Sequence, residues 1–375
     1  MKSTQESFDI AIIGGGAVGL ACAWKLAKGG ASVVLFERLQ TGREASFAAG
    51  GMLAPSCEGA VHGCHASQTS REAMQRLCFA SRDSYPHFAS QLQEESGIDI
   101  EISLRTSEAK DWREPGILFV SHAEEDPRVD VLLEHGLAAT WKEKRAVYLP
   151  DDGQVDSRKL VEALRLAALR SGVEIRDNRT IRRLETEEDR VVGVSDEKET
   201  VSAGQVLLCA GAWSGKIVGI PDSISEAVRP VAGQMVQLRG ERRLRHIIYS
   251  DTCYLVPRRD GRLLVGATEE EIGYCKRVTA GGVAKLLNAA LELVPELVDA
   301  PLESHWAGLR PISLDGLPLL GQTSLQGLFV ATGHGRNGVL LCPATAAAIS
   351  ELMLQNTEIS PVFSPTRFAR VSTAS

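Results

Sequence analysis

Apolar positions in this chain gather in short runs separated by stretches of helical spacing, and three of the runs end on glycine. The first run, Phe8-Asp9-Ile10-Ala11-Ile12-Ile13, reads as a buried parallel strand. An apolar helical pattern follows at 17–28, then a second strand, Ser32-Val33-Val34-Leu35-Phe36. Helical spacing returns over 71–96, and 116–120 is strand-like within a stretch of strands and irregular segments reaching to about Pro150. The next helix opens at Asp156 or Ser157, both competent caps, with Leu160, Leu164, Ala167 and Ala168 as its apolar stripe. It stops at Ser171-Gly172, and strands are expected at 173–175, 181–186, 190–194 and 205–209. Alternating segments at 254–257 and 262–265 precede a helix at 280–293. The last unit is a strand at 328–331, a glycine-rich turn at 333–338 and a closing helix to about Met353.

The glycines give the first strand a chemical meaning. Gly14-Gly15-Gly16-Ala17-Val18-Gly19 stands between a strand and a helix, the arrangement of a dinucleotide-binding turn. Gly14 permits the turn, Gly16 lets the backbone approach a pyrophosphate, and Gly19 lets the helix pack on the strand. The helix then aims its positive end at the phosphates. Glu37 closes the second strand 18 residues after Gly19, where an acid is placed to accept from a ribose hydroxyl. The loop at 41–52 is too poor in bulky groups to be core, and its small side chains allow close approach to a flat ligand.

Bulk properties narrow the class. A chain of 375 residues with 44% hydrophobic and 24% charged positions is an ordinary globular protein of two domains or one composite domain. Apolar runs are too short and too interrupted to span a bilayer, and no signal-peptide core precedes the first strand, so a cytoplasmic enzyme is expected. The net charge of −7 does not indicate a nucleic-acid partner, and the cluster Arg242-Arg243-Leu244-Arg245-His246 reads as solvated surface. Eight cysteines without paired spacing support neither a disulfide framework nor a zinc site, and His62, Cys64 and His65 lack further ligands, so no metal is expected.

Four further stretches carry a resemblance over nearly the whole chain. They are Ala48-Ala49-Gly50-Gly51-Met52-Leu53-Ala54-Pro55; Cys253-Tyr254-Leu255-Val256-Pro257-Arg258 with Gly261-Arg262-Leu263-Leu264-Val265-Gly266-Ala267-Thr268; Trp306-Ala307-Gly308-Leu309-Arg310-Pro311 with Asp315-Gly316; and Gly333-His334-Gly335-Arg336-Asn337-Gly338. The chain resembles the D-amino-acid oxidase and sarcosine oxidase superfamily of FAD enzymes, and within it the bacterial glycine oxidases of thiamine thiazole synthesis.

The resemblance implies a mixed α/β fold, with a discontinuous Rossmann-like FAD-binding domain (7–84, 147–215 and 307–365) and an inserted, mainly antiparallel β-sheet substrate domain (85–146 and 216–306). It places Ala17 and Val18 at the pyrophosphate, Glu37 and Arg38 at the adenosine ribose, Ala45 and Ser46 on the phosphate side, and Ile181 at the adenine. Gly50, Gly51 and Met52 would run along the flavin. His334, Gly335, Arg336, Asn337, Gly338, Val339 and Leu340 would cradle the isoalloxazine edge through main-chain N–H groups. Arg310 matches the arginine that holds the substrate carboxylate and Tyr254 the tyrosine that touches the substrate, and Arg336, in the cofactor loop close to it, is expected as a further substrate-binding residue.

Two positions depart from some relatives: Thr252 stands where a histidine can occur, and Glu269 where an apolar residue can occur. The implied activity is oxidative deamination of glycine, with sarcosine and small D-amino acids as further substrates, to glyoxylate, ammonia and hydrogen peroxide by hydride transfer to FAD. No acid or base residue is required, because orientation over the flavin is the protein's main task. Arg310 suits that task because its planar fork fixes both angle and distance of a carboxylate. The blander readings are a surface or capping role for Arg310, a core tyrosine for Tyr254, packing for Trp306, and a loop position for His334 whose ring is not needed. A covalent flavin would need a cysteine at 306–315, and none is there, so the FAD is expected to be non-covalent. The alternatives are a D-amino-acid dehydrogenase passing electrons to a carrier, or another small-amine flavin oxidase. Expected partners are a small amino-acid substrate and oxygen, with no nucleic acid and no stable membrane insertion, and homo-oligomers are left open.

Overall fold

The computed structural model describes residues 6–61, 67–105, 116–239 and 244–369. His62, Cys64, His65, Arg242 and Arg243 therefore lie outside the described residues. Two eight-stranded sheets carry the architecture, with a two-stranded ribbon, Met52–Leu53 against Gly153–Gln154, as the third.

In the first sheet, Ser7–Ile13 lies parallel between Val33–Phe36 and Thr200–Leu208. Leu328–Thr332 extends it in parallel beyond Thr200–Leu208, Glu174–Arg176 extends it beyond Val33–Phe36, and Leu319–Gln322 closes one edge antiparallel. The hairpin Arg183–Glu187 and Arg190–Ser195 adds antiparallel strands to Thr200–Leu208. Both faces are covered, as a parallel sheet requires. Ile10, Ile12, Val33, Leu35 and Leu207 pack beneath the helices Ala17–Lys28, Gln68–Ser96, Ser157–Arg170 and Gly338–Gln355. Their neighbours Ala11, Ile13, Val34, Phe36, Val206 and Leu208 face the opposite core, built with the hairpin. The continuous apolar runs of the sequence are thus strands buried on both sides.

The second sheet runs Leu302–Ser313, Val228–Arg239, Arg262–Gly266, Tyr254–Pro257, Ile247–Ser250, Ile117–Val120, Lys144–Leu149, Leu137–Trp141. Every pairing is antiparallel except Ile247–Ser250 with Ile117–Val120. Leu118, Val236, Leu255 and Val265 pack with Leu286 and Ala290 of the helix Ala280–Leu293. The alternate positions Phe119, Met235, Tyr249, Tyr254 and Val256 form the other face.

Several expectations shift. The helix at 71–96 begins one turn earlier, as Gln68–Ser96, because the Ser67 hydroxyl accepts from the Ser70 N–H and caps it. The loop at 41–52 contains a helical turn, Ala45–Ala48, and ends in a strand. Residues 84/85 fall inside the continuous helix Gln68–Ser96, and 306/307 inside the continuous strand Leu302–Ser313. The expectation that no run is long enough to span a bilayer is also corrected. Gly335–Gln355 is long and apolar enough by length and composition, its interior Leu, Ala and Ile positions raising its hydropathy. Leu341, Cys342, Ala346 and Ile349 of that helix are fully buried in the first core.

Candidate active site

The glycine turn is shaped by close backbone packing. Gly14 has φ +111°, and a Cβ there would stand 2.3 Å from the Cys209 carbonyl oxygen, so only glycine lets the two strand ends meet. A Cβ at Gly19 would fall 2.0 Å from the Gly14 oxygen, the contact that seats the helix on the turn. Among the described residues Gly16 brings no side-chain cap to the helix, although the Ser46 hydroxyl accepts from the Ala17 N–H at 2.9 Å. Glu37 is 8% exposed and braces the turn itself. Its Oε2 accepts from the Gly15 N–H at 2.9 Å and its Oε1 from the Leu39 N–H at 3.1 Å. Burial raises its pKa against the pull of those two bonds. Beside it the Arg38 guanidinium lies 3.7 Å over the Trp213 ring and pairs with Glu44.

The second sheet holds the segment that follows. Trp306 Nε1 donates to the Ala48 carbonyl at 3.1 Å and Ser157 Oγ to the Ala49 carbonyl at 2.8 Å. Arg258, fully buried, donates from Nη2 to the Gly50 carbonyl at 2.7 Å and from Nη1 to Val155 O and Gln154 Oε1. Burial pulls its pKa down to about 10, with Asp156 opposing. Sequence reasoning quoted Arg258 in a motif without a role. Its signal was an arginine directly after an apolar strand, where only a hydrogen-bonded guanidinium is tolerated.

The far end is a polar pocket on the inner face of the second sheet. Tyr254 is buried, stacks on Tyr249 at 6.0 Å between centroids, and donates to Met235 Sδ at 3.2 Å. Burial raises its pKa, with Arg310 and Arg336 opposing, so the phenol stays protonated. Arg310 Nη1 donates to the Thr268 carbonyl at 3.2 Å and the Ala232 carbonyl at 3.4 Å. Among the described residues it has no carboxylate within ion-pair distance. Gly233 makes room for it, since a Cβ there would lie 2.3 Å from Arg310 Nη1. Arg336 instead pairs with Glu269. Burial weakens the Arg336 charge, but Glu58, Tyr249, Glu269 and Tyr254 outweigh it and hold the pKa above the usual range.

Glu58 was missed from the sequence, where a single acid after a small-residue stretch carries no signal. Its Oε1 accepts from Tyr249 at 3.3 Å, while its buried Oε2 has no hydrogen-bond partner among the described residues. The short helix bearing it, Pro55–Val61, is anchored by the fully buried Asp152, which accepts from Ser56 Oγ at 3.0 Å and Cys57 N–H at 3.0 Å. Burial lifts the Asp152 carboxyl to about 6.

His334 turns its ring away from the turn that bears it. The ring is buried, its Nε2 lies 3.1 Å from Thr345 Oγ1, and burial lowers its pKa to about 4. One cavity of about 640 Å³ connects the glycine turn with the arginine pocket. Its lining takes in Gly14, Gly16, Ala17, Val18, Gly19, Glu37 and Arg38 at one end, with Ile181 beside them. Ala45, Ser46 and Gly50 to Met52 follow, and His334 to Val339, Tyr254, Arg310 and Glu58 complete it. Leu340 is the exception and does not line the cavity. Its side chain is buried in the helical core, and its carbonyl accepts from Ser81 Oγ at 2.7 Å. Among the described residues no cluster of potential metal ligands occurs.

These residues fit an FAD on the chain's own geometry: a turn too tight for any Cβ, an N-terminal helix end without a side-chain cap, and a buried acid beside it. Known proteins agree. The chain is 33% identical to the bifunctional protein ThiO/ThiG of Trichormus variabilis, over 96% of its own length and 55% of that protein's. It therefore spans about half the length of that relative. It is also 33% identical to the glycine oxidase of Pseudomonas aeruginosa, covering 96% of this chain and 98% of that one. The crystal structure of glycine oxidase from Geobacillus kaustophilus superposes with a TM-score of 0.85 at 32% identity, covering 96% of this chain and 99% of that one. Residues 9–352 match the profile of the FAD dependent oxidoreductases (DAO), and with the glycine turn and the arginine pocket opening into one cavity, the chain belongs to that family.

Proposed function

We propose that the chain is an amino-acid oxidase that deaminates glycine, with sarcosine and small D-amino acids as further substrates, and uses oxygen as acceptor. The observation that carries this reading is Arg310. A guanidinium steadied by two carbonyls, without a carboxylate partner among the described residues, faces the same cavity as the glycine turn. Its likeness to proteins named glycine oxidase over nearly their whole length supports the substrate, and the ThiO/ThiG relatives support a place in thiamine thiazole synthesis; a cytoplasmic location is part of the same proposal.

FAD, when bound, supplies the two-electron sink. The chain's residues supply orientation. Arg310 grips the substrate carboxylate through two parallel N–H bonds, a contact of about 1.5–3 kcal/mol per charge-assisted bond. Tyr254, kept protonated by burial, donates its hydroxyl proton to the same carboxylate once it turns from Met235. Glu58 offers its unpartnered oxygen to the substrate ammonium. The apolar wall of Met52 and Met235 limits water. No side chain is assigned as acid or base. In net terms glycine loses one C–H and one N–H bond, the imine takes up water to give glyoxylate and ammonia, and oxygen leaves as hydrogen peroxide.

The same reading divides the chain into a cofactor half (7–84, 147–215 and 307–365) and a substrate half (85–146 and 216–306). The continuity of Gln68–Ser96 and Leu302–Ser313 favours moving those two crossings to the ends of each element.

A peroxide-coupled assay with glycine under air tests the activity. Peroxide formation at a rate matching glyoxylate is the expected result. Anaerobic bleaching of the flavin by glycine without peroxide on admitting oxygen would establish the carrier-linked dehydrogenase instead.

A further inference from the structure

Two guanidinium groups reach the substrate end of the cavity, yet the structure treats them differently. Arg310 donates to the carbonyls of Thr268 and Ala232 and stands beside the Tyr254 hydroxyl, and among the described residues no carboxylate pairs with it. Arg336, only 18% exposed, is ion-paired through Nη2 with the carboxylate of Glu269. Glu269 sits at the end of the segment after the strand Arg262–Gly266, immediately beyond the carbonyl that steadies Arg310. Glu58 and Tyr249 also act on the Arg336 charge, and Tyr249 in turn donates to Glu58. The cationic capacity of the pocket is thus spent at Arg336 and open at Arg310.

We propose that Glu269 is a specificity-determining residue, whose ion pair withholds Arg336 from the substrate and restricts the pocket to amino acids with a single carboxylate. The inference rests on the amino-acid oxidase reading for its substrate class, and it assigns Arg336 a role other than the substrate contact that the family resemblance implies. A second carboxylate entering the pocket must displace Glu269 from a partly desolvated pair before gaining Arg336, so it gains little. Replacing Glu269 by a neutral side chain leaves Arg336 under the negative charge of Glu58 but frees the Nη2 donor that Glu269 holds. A diacid then gains a charge-assisted contact of about 1.5–3 kcal/mol, equivalent to about 10- to 150-fold in binding. Glu269 is itself 47% exposed and does not line the cavity, so its replacement leaves the packing of the buried core untouched.

The test uses the FAD-loaded protein and two readouts. Acetate and malonate are titrated against wild type and Glu269→Gln, with binding read from the perturbation of flavin absorbance. The expected result is a malonate-to-acetate affinity ratio at least about tenfold higher in Glu269→Gln. Adding Arg336→Gln to that variant should cancel the gain, which a general loosening of the pocket would not do. In parallel, the ratio of kcat/KM for iminodiacetate to that for glycine should rise in the same direction. An unchanged malonate-to-acetate ratio, or a gain that survives Arg336→Gln, overturns the proposal. The binding readout needs no turnover. A wild-type protein inactive on glycine, with the malonate ratio still shifted by Glu269→Gln, would defeat the oxidase reading and leave this one standing.

Discussion

Thr268 and Glu269, adjacent in the chain, fasten two different arginines of one pocket. The backbone carbonyl of Thr268 accepts from Arg310 Nη1 at 3.2 Å, and the carboxylate of Glu269 pairs with Arg336. A single turn of backbone therefore sets one guanidinium as an open site and the other as a closed one. The consequences for Arg310 are the most direct to measure.

Arg310→Ala should lower kcat/KM for glycine by about 10²–10⁴-fold, the loss of two charge-assisted bonds of about 1.5–3 kcal/mol each. Arg310→Lys should recover only part, because an ammonium restores charge without the planar fork. Flavin content should stay near that of wild type, since the cofactor-lining residues lie mainly in other segments. Steady-state kinetics on flavin-replete protein decides, and an unchanged kcat/KM in Arg310→Ala would remove the substrate-site assignment.

Purified protein should be yellow and should release all its flavin to the supernatant on acid precipitation. A yellow pellet over a colourless supernatant would show covalent attachment. Glu37→Gln should weaken FAD retention by at least about tenfold. The carboxamide cannot accept from both the Gly15 and Leu39 N–H groups that the native carboxylate joins. Flavin-to-protein absorbance after dialysis measures it, and full retention would assign Glu37 to packing alone.

Glu58→Gln should raise the KM for glycine by about tenfold while leaving acetate affinity at least as high as in wild type. Glycine carries the ammonium that the buried Oε2 is free to meet, and acetate does not. Equal weakening of both ligands would reduce Glu58 to a scaffold for Tyr249.

His334 should impose a pH dependence on stability. Its folded pKa of about 4 lies below its ordinary 6.5, so its contribution is full above pH 6.5 and lost as pH falls towards 4. The span is about 3 kcal/mol. Asp152 acts with the opposite sign, because its pKa is raised to about 6 and its burden on the fold appears as pH rises from 4 to 6. The difference between wild type and His334→Gln isolates the histidine. Urea unfolding at pH 4, 5, 6 and 7 should show that difference shrinking towards pH 4, and a constant difference would contradict it.

Much of the fold was legible because burial wrote itself into the chain. The run at 8–13 and the helix at 17–28 are those of the structure to within a residue, and 280–293 coincides with Ala280–Leu293. The paired long strands Val228–Arg239 and Leu302–Ser313 were not visible as strands. Leu302–Ser313 keeps most of its residues half-buried or exposed, so its alternation is weak. At the site, motif residues separated by some 300 positions proved to line one cavity, which their shared small or cationic character suggested. Glu58, Met235 and the Glu269–Arg336 pair were invisible for a different reason. Each depends on which face of a distant element meets another, and no local pattern records that.

The strand Thr200–Leu208 is an interior member of its sheet, with Val206 opposite Ala11 on one side and Leu328 on the other. On the ribosome these neighbours arrive far apart in time. The 120 residues between Leu208 and Leu328 take roughly 6–24 s to make at about 5–20 residues per second. During that interval the nascent strand has an open edge, a ready template for wrong pairing. The cavity wall at His334 to Val339 does not yet exist then, so the cofactor cavity is completed only after that edge has been covered.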